Sequence, residues 1–234
     1  MSDPFISIII PVYNEEKRIG PILHHLQKCC TNTNHEIIIA DGGSSDRTVS
    51  IAEKLNTKVI HCYKKGRAAQ MNEGAGHAKG VILYFLHADT VPPPNFTEHI
   101  KKSLQKGYSA GCFQLSFDDP HPILKFYGWC TRFRLTLFRF GDQSLFVKKN
   151  LFQRINRFDE TMLVMEDQKI VRELKKVSNF CVMDASVTTS ARRYVINGVI
   201  RLQAVFFLIL LFYYIGVRQE ILVHVYKELT KPVN

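Results

Sequence analysis

Residues 6–16 read ISIIIPVYNEE, residues 36–46 read EIIIADGGSSD and residues 81–90 read VILYFLHADT. Each is a short apolar run that ends in acidic residues. Continuous apolar runs of this length mark strands buried on both faces of a parallel sheet. In an open α/β sheet, ligands bind beyond the carboxyl ends of the strands. The runs deliver Glu15 and Glu16, Asp41 and Asp46, and Asp89 to such ends. Carboxylates gathered there repel one another unless a divalent cation and a polar ligand such as a nucleotide sit among them.

Outward from these runs, strand and helix alternate. Strands are predicted over 5–10, 36–40, 58–62 and 81–86. Helices are predicted from Lys17 to Cys30, from near Asp46 with Ser45 or Asp46 as cap, after Gly66-Arg67-Ala68-Ala69-Gln70-Met71-Asn72 to about Lys79, and from about Asn95. Pro92-Pro93-Pro94 stops the fourth unit. This repetition predicts an α/β fold, with a mostly parallel, Rossmann-like central sheet flanked by helices and right-handed crossovers. The second half is less regular. Strands are expected over Ala110–Phe117, Ser144–Val147 and Phe180–Thr188, a helix over His121–Phe140, and a charged helix opening at Met165-Glu166-Asp167-Gln168. Residues 1–195 then form the main domain, divided into a nucleotide-binding half (1–92) and an acceptor half (93–195), with 196–234 as a helical appendage.

The appendage contains the apolar run Leu202–Val217, flanked by Arg201 and Arg218. A spanning helix needs about 20 apolar residues. This run is shorter and includes Gln203. A buried or dimer-forming helix, a helix lying in a membrane interface and a true span all remain open. Tyr213, Tyr214 and the arginines suit a membrane interface as well as a dimer contact.

The chain has 234 residues, with 31 Lys and Arg against 21 Asp and Glu, a formal net charge of +10. That balance calls for an anionic partner. The basic residues are dispersed and no nucleic-acid motif is present, so nucleic acid is not expected. Six cysteines lack any paired or metal-binding spacing, which predicts free thiols in a reducing compartment. The N-terminus enters a strand almost at once, which predicts no signal peptide. The expected location is the cytoplasm, peripheral at the inner face of the plasma membrane. The segment Gly74–Gly80 lacks GxGxxG spacing and does not follow the first strand, so it is no dinucleotide fingerprint.

Taken in order, Pro11-Val12-Tyr13-Asn14-Glu15-Glu16, Asp41-Gly42-Gly43-Ser44-Ser45-Asp46, Gly66-Arg67 with Asn72 and Gly74, His87-Ala88-Asp89 and Glu166-Asp167 resemble the family-2 glycosyltransferases of the GT-A fold. The matching stations cover roughly residues 5–195. The variants Leu-His-Ala-Asp-Thr and Ser-Ala-Arg-Arg-Tyr are similar to a small bacterial subgroup, with His-Ala-Asp in place of Asp-x-Asp. The resemblance implies an inverting transferase moving a sugar from a UDP- or GDP-sugar to a small or lipid-linked acceptor. It implies that Pro11, Tyr13 and Glu15 contact base and ribose, and that Asp41 accepts a hydrogen bond from the base. A turn or helix-capping carboxylate is the other reading of Asp41, and Gly42 departs from the commoner second Asp. Arg67 pairs with the diphosphate or with a nearby acid. Asp89 coordinates Mn²⁺ or Mg²⁺, and His87 is a second ligand, a donor to ribose or phosphate, or a structural histidine. A neutral imidazole suits Mn²⁺ better than Mg²⁺. Asp167 is the implied general base with Glu166 as fallback, although two acids also suit a solvated helix N-terminus. Asp142 and Gln143 are assigned to the donor-sugar or acceptor pocket. Arg192 and Arg193 are assigned to the diphosphate, or else form a basic flank. Ser190 stands where processive members carry Gln, which argues against a polymerase. The stretch Phe126–Phe140 is either core or a wall for a lipid acceptor. The rivals are a nucleotidyltransferase, which should carry a Gly-rich signature near the first strand, and a non-catalytic sugar-nucleotide-binding or membrane-scaffolding protein.

Overall fold

The structure is a computed structural model and describes residues 5–31 and 33–231. The first half contains β1 (Ile6–Val12), α1 (Glu16–Cys29), β2 (His35–Asp41), α2 (Thr48–Lys54), β3 (Lys58–His61), α3 (Arg67–Gly76), β4 (Ile82–Phe85), β5 (Thr90–Val91) and α4 (Phe96–Gln105). The second half contains β6 (Ala110–Phe117), α5 (Pro122–Cys130), β7 (Leu145–Lys148), α6 (Lys149–Arg154), α7 (Glu166–Val177), β8 (Phe180–Thr189), α8 (Arg192–Asn197), α9 (Val199–Tyr214) and α10 (Gln219–Leu229). Single 3-10 turns lie at Thr136–Phe138 and Gly141–Gln143.

One eight-stranded sheet runs in the order β3-β2-β1-β4-β7-β6-β8-β5. Strands β3, β2, β1 and β4 are mutually parallel, β6 is parallel to β8, and β7 and β5 run antiparallel to their neighbours. Every residue of β1 is buried. Alternate side chains enter two cores. Ile6, Ile8 and Ile10 meet Ile19, Leu23 and Leu26 of α1, whereas Ile9 meets Ala68, Met71 and Ala75 of α3. The unbroken apolar run of β1 follows from this two-sided burial. In register, Val12 stands beside Asp41 and Ile9 beside Phe85. The loops that follow these strands therefore leave at one edge of the sheet.

Three local readings are corrected. The helix expected over His121–Phe140 ends at Cys130. Beyond it, the buried Arg139 guanidinium donates to the carbonyls of Thr131 (2.5 Å), Leu135 (3.3 Å) and Phe133, and to Cys112 Sγ at 3.3 Å. Carbonyls that a continuing helix would pair internally point at Arg139 instead. Helix α3 starts at Arg67 and not after Asn72, because Gly66 at φ +122° turns the chain directly into it. Helices α6 and α8 and the short strand β5 were not foreseen. The N-cap of α2 is Arg47 and neither Ser45 nor Asp46, although the Asp46 carboxylate, one residue earlier, accepts from Thr48 N at 2.9 Å.

Among the described residues, no helix is long and apolar enough to cross a membrane. Helix α9 has 16 residues, a length of about 24 Å, short of the roughly 30 Å hydrocarbon core. Its Leu202 packs with Leu124, Ala191 and Tyr194, and its Val205 and Ile209 pack with Leu222 of α10.

Replacing Arg139 with Met removes the guanidinium donor from the buried Thr131 carbonyl and from the partly buried Phe133 carbonyl. The expected cost is about 3 kcal/mol. Urea unfolding should show the lower midpoint with an unchanged slope, and an unchanged midpoint would show that the loop is held by other contacts.

Candidate active site

Loops at the strand ends bound a cleft of ≈ 660 Å³. The end of β1 contributes Pro11, Tyr13 and Glu15, the end of β4 contributes His87 and Asp89, and the start of α3 contributes Arg67. Across the cleft lie Asp142 from the turn before β7, Glu166 and Asp167 from the first turn of α7, and Arg192 and Arg193 from α8. Glu15, Asp89, Asp142, Glu166 and Asp167 thus share one cavity.

Arginine and histidine side chains hold them together. Arg192 grips Glu15 in a two-pronged contact, Nη2 to Oε1 at 2.8 Å and Nη1 to Oε2 at 3.3 Å. The same Nη2 reaches Asp89 Oδ2 at 3.2 Å. Arg192 Nε is buried and has no hydrogen-bond partner among the described residues, an unmet donor beside the cleft. Arg67 Nε stands 3.5 Å from Glu166 Oε1. His87 Nδ1 lies 3.0 Å from Asp142 Oδ1.

His87, Asp89 and Asp142 each present a ligand atom, and these atoms lie within 4.8 Å of one another. One imidazole nitrogen and two carboxylate oxygens form a donor set that a divalent first-row cation accepts. Burial, then the charge of Asp142, push Asp89 above the usual carboxylate range against the pull of His87 and Arg192. Burial also opposes charge on Asp142, but the hydrogen bond and charge of His87, with Arg67 and Arg193, outweigh it and hold that carboxyl low.

Asp167 is pushed up to about 6, first by burial and then by the charge of Glu166. It accepts from the backbone N–H groups of Gln168 (2.7 Å) and Gly141. A Cβ at Gly141 would lie 2.7 Å from His87 Cε1 and 3.2 Å from Asp167 Oδ2. Glycine at this position lets the histidine and the acid approach the same backbone turn.

Two expected residues do not line the cleft. Asp41 is buried, and its carboxylate accepts from Gly43 N and Ser44 N, each at 3.1 Å, as the acceptor of its own turn. Gln143 is fully buried, donating to the Phe113 carbonyl and accepting from Phe140 N, both at 3.0 Å. Its amide completes backbone pairing and is not part of the lining of this cleft. Arg193 does border the cleft, but its guanidinium donates to the Tyr226 hydroxyl at 2.6 Å and so ties α8 to α10.

Other residues escaped sequence reading. Gln70 donates to the carbonyls of Val12 (2.7 Å) and Ala40 (2.8 Å), tying together the ends of β1 and β2. Any Cβ at Gly42 would meet that amide at 2.9 Å, so the departure at Gly42 and the buried Gln70 belong together. The signal was a polar residue on an otherwise alanine-rich turn of α3. Tyr127, Phe140, Phe206, Ile209 and Tyr226 give the cleft an apolar wall; Tyr127 and Phe140 belong to the stretch read as core or wall, and no motif marks the other three.

Comparison with known proteins adds the following. Residues 7–159 match the family described as Glycosyl transferase family 2. An undecaprenyl-phosphate 4-deoxy-4-formamido-L-arabinose transferase from Edwardsiella ictaluri is 29% identical over 113 residues, 44% of this chain and 35% of that protein. An uncharacterized glycosyltransferase from Rickettsia typhi is 28% identical over 192 residues, 75% of this chain and 60% of that protein. The chain therefore spans about a third of the first relative and three fifths of the second. A mannosyltransferase from Pyrobaculum calidifontis, solved in complex with GDP-Man and Mn²⁺, superposes with a TM-score of 0.70 at 17% identity, covering 98% of this chain and 70% of that one. The GT-A fold implied by the motifs is thereby shown.

The raised Asp167 carboxyl has a consequence for stability. A carboxyl with a folded pKa near 6, above its unfolded value, favours the folded state at low pH, and that stability is lost as pH rises through about 6. Asp167→Asn removes the cost of the buried charge. The variant should be more stable than the parent at pH 7.5 by on the order of 1 kcal/mol, because the side chain is only partly buried. The gap should narrow as pH falls from about 6 to about 4, the window between the folded and the ordinary carboxylate values, and chemical denaturation above and below that window measures it.

Proposed function

The chain belongs to glycosyltransferase family 2, and on that premise we propose that it transfers a sugar, with inversion, from a UDP- or GDP-sugar to a small or lipid-linked acceptor. The observation that carries the reading is the meeting of Asp89, Asp142 and His87 with Asp167 in one cleft. Relatives named for undecaprenyl-phosphate transfer favour the lipid-linked acceptor, as does the apolar wall of Tyr127, Phe140, Phe206 and Ile209.

In this reading Pro11, Tyr13 and Glu15 border the base and ribose. Asp41 contributes by holding the turn beside them, with its remaining lone pairs available to a base N–H. Arg192 and Arg67 are placed to receive the diphosphate, and the unpartnered Arg192 Nε gives one phosphate oxygen a donor. His87, Asp89 and Asp142 would hold Mn²⁺ or Mg²⁺. The ion would neutralise charge growing on the leaving diphosphate. The acceptor hydroxyl attacks the sugar C1 from the face opposite the diphosphate. As the C1–O bond to the phosphate breaks, its electron pair leaves with the diphosphate and the acceptor proton passes to Asp167. Glu166, paired with Arg67, lies beside it, and its charge favours proton uptake by Asp167. A phosphate acceptor is already ionised and needs no strong base, which would reduce the role of Asp167.

A deprotonated base with a pKa near 6 predicts transfer that rises with pH through about 6. Asp167→Asn should lower kcat by roughly 10²–10⁴-fold for a hydroxyl acceptor while nucleotide binding stays within about twofold of the parent. Transfer at parental rate would refute the base assignment.

Asp89→Ala and Asp142→Ala should each abolish the difference in nucleoside diphosphate affinity between Mn²⁺ and chelator. Calorimetry reads this directly. If Asp142→Ala keeps full metal dependence while Asp89→Ala loses it, His87 and Asp142 are a structural pair and not ligands.

A further inference from the structure

One face of the acceptor half is aromatic, basic and exposed, and the proposed catalytic reading does not use it. Phe126 on α5 is 64% exposed and Trp129 44% exposed, and Phe133, Leu135 and Leu137 on the following loop are similarly open. These rings form one connected patch. Phe126 stacks on Trp129 with centroids 6.0 Å apart, and Trp129 meets Phe133 edge-on at 4.9 Å. The Arg132 guanidinium lies over Trp129 at 5.2 Å. Lys125 and Arg134 are exposed beside it. From Pro122 to Gly141 the sequence contains no Asp or Glu.

We propose that this patch, α5 with the loop after it, seats the protein on the headgroup region of an anionic lipid bilayer. Large exposed apolar patches mark interaction surfaces. The chemistry selects the partner. Tryptophan and phenylalanine interleaved with arginine and lysine, free of acid, match the boundary between acyl chains and anionic headgroups. Long basic side chains reach the phosphates while the rings enter the boundary. The buried Arg139 holds the loop in shape through the carbonyls of Thr131 and Leu135, so the patch is formed in advance. Tyr127 and Phe140 of the same segment turn inward to line the cleft, so one segment faces the bilayer on its outside and the reaction site on its inside. The inference deepens the reading of a lipid-linked acceptor, but vesicle binding is measured without turnover, so the two can fail separately.

Trp129 is the only tryptophan of the chain, and its emission reports on this patch alone. The full chain is titrated with vesicles of phosphatidylglycerol and phosphatidylcholine, and with phosphatidylcholine vesicles, some carrying brominated acyl chains. The proposal predicts a blue shift and bromine quenching with anionic vesicles, weakened by salt. The Lys125→Glu/Arg134→Glu variant leaves the ring contacts of Trp129 in place and should bind anionic vesicles at least roughly tenfold more weakly, with an unchanged thermal midpoint. Vesicle binding with unshifted Trp129 emission would overturn the proposal in favour of another surface, such as the exposed face of α9. A blue shift that depends on protein concentration without lipid, with a doubled mass, would overturn it in favour of a second copy of the chain. Absence of binding to anionic vesicles at low salt would overturn it outright.

Discussion

Like charge gathered at one end of the parallel strands is the constraint on which the rest of the structure depends. Glu15, Asp89, Asp142, Glu166 and Asp167 face one cleft. Left alone they would repel one another or take up protons. Arg192 joins Glu15 to Asp89, Arg67 meets Glu166, and His87 meets Asp142. These contacts bring residues far apart in sequence, on β1, β4, α3, α7 and α8, to a common point. The apolar strands beneath serve as a rigid floor for that arrangement, with β1 buried along its whole length.

Much of this was legible in the sequence for a physical reason. Strands buried on two faces leave long apolar runs, and β1, β2 and β4 were read from theirs. Acids at the ends of such strands have few structural uses, so Glu15 and Asp89 stood out, as did Glu166 and Asp167 at a helix start. The position of Asp41 was right, yet its oxygens serve the amides of Gly43 and Ser44 in its own turn. Gln143 was grouped with Asp142 by adjacency, but successive residues of a tight turn point apart, and its amide went to the backbone.

What was not legible depends on long-range contact. The pairing of Asp142 with His87 joins two loops 55 residues apart. Nothing in either loop announces the other. The glycines at 42 and 141 have a similar origin. One clears space for Gln70, the other for His87 and Asp167, and neither partner is a sequence neighbour. The C-terminal run was read as a helix, but its contribution of Phe206 and Ile209 to the cleft could not be inferred from composition. The His121–Phe140 stretch failed as a helix because Arg139, an ordinary helix former, spends its donors on the backbone of the loop before it.

The most direct test of the account is whether a divalent cation and a nucleoside diphosphate bind as one unit in this cleft. Thermal unfolding of the full chain with UDP, GDP and their sugar conjugates, in Mn²⁺, Mg²⁺ or chelator, would decide it. A ligand binding only the folded state at about 100 times its dissociation constant adds roughly 2.7 kcal/mol, a readily visible shift. The account predicts a shift for one nucleotide family that needs the cation and is larger with Mn²⁺, as the imidazole of His87 requires. Equal shifts in cation and chelator, or none with any nucleotide, would contradict the central role given to the carboxylate cluster.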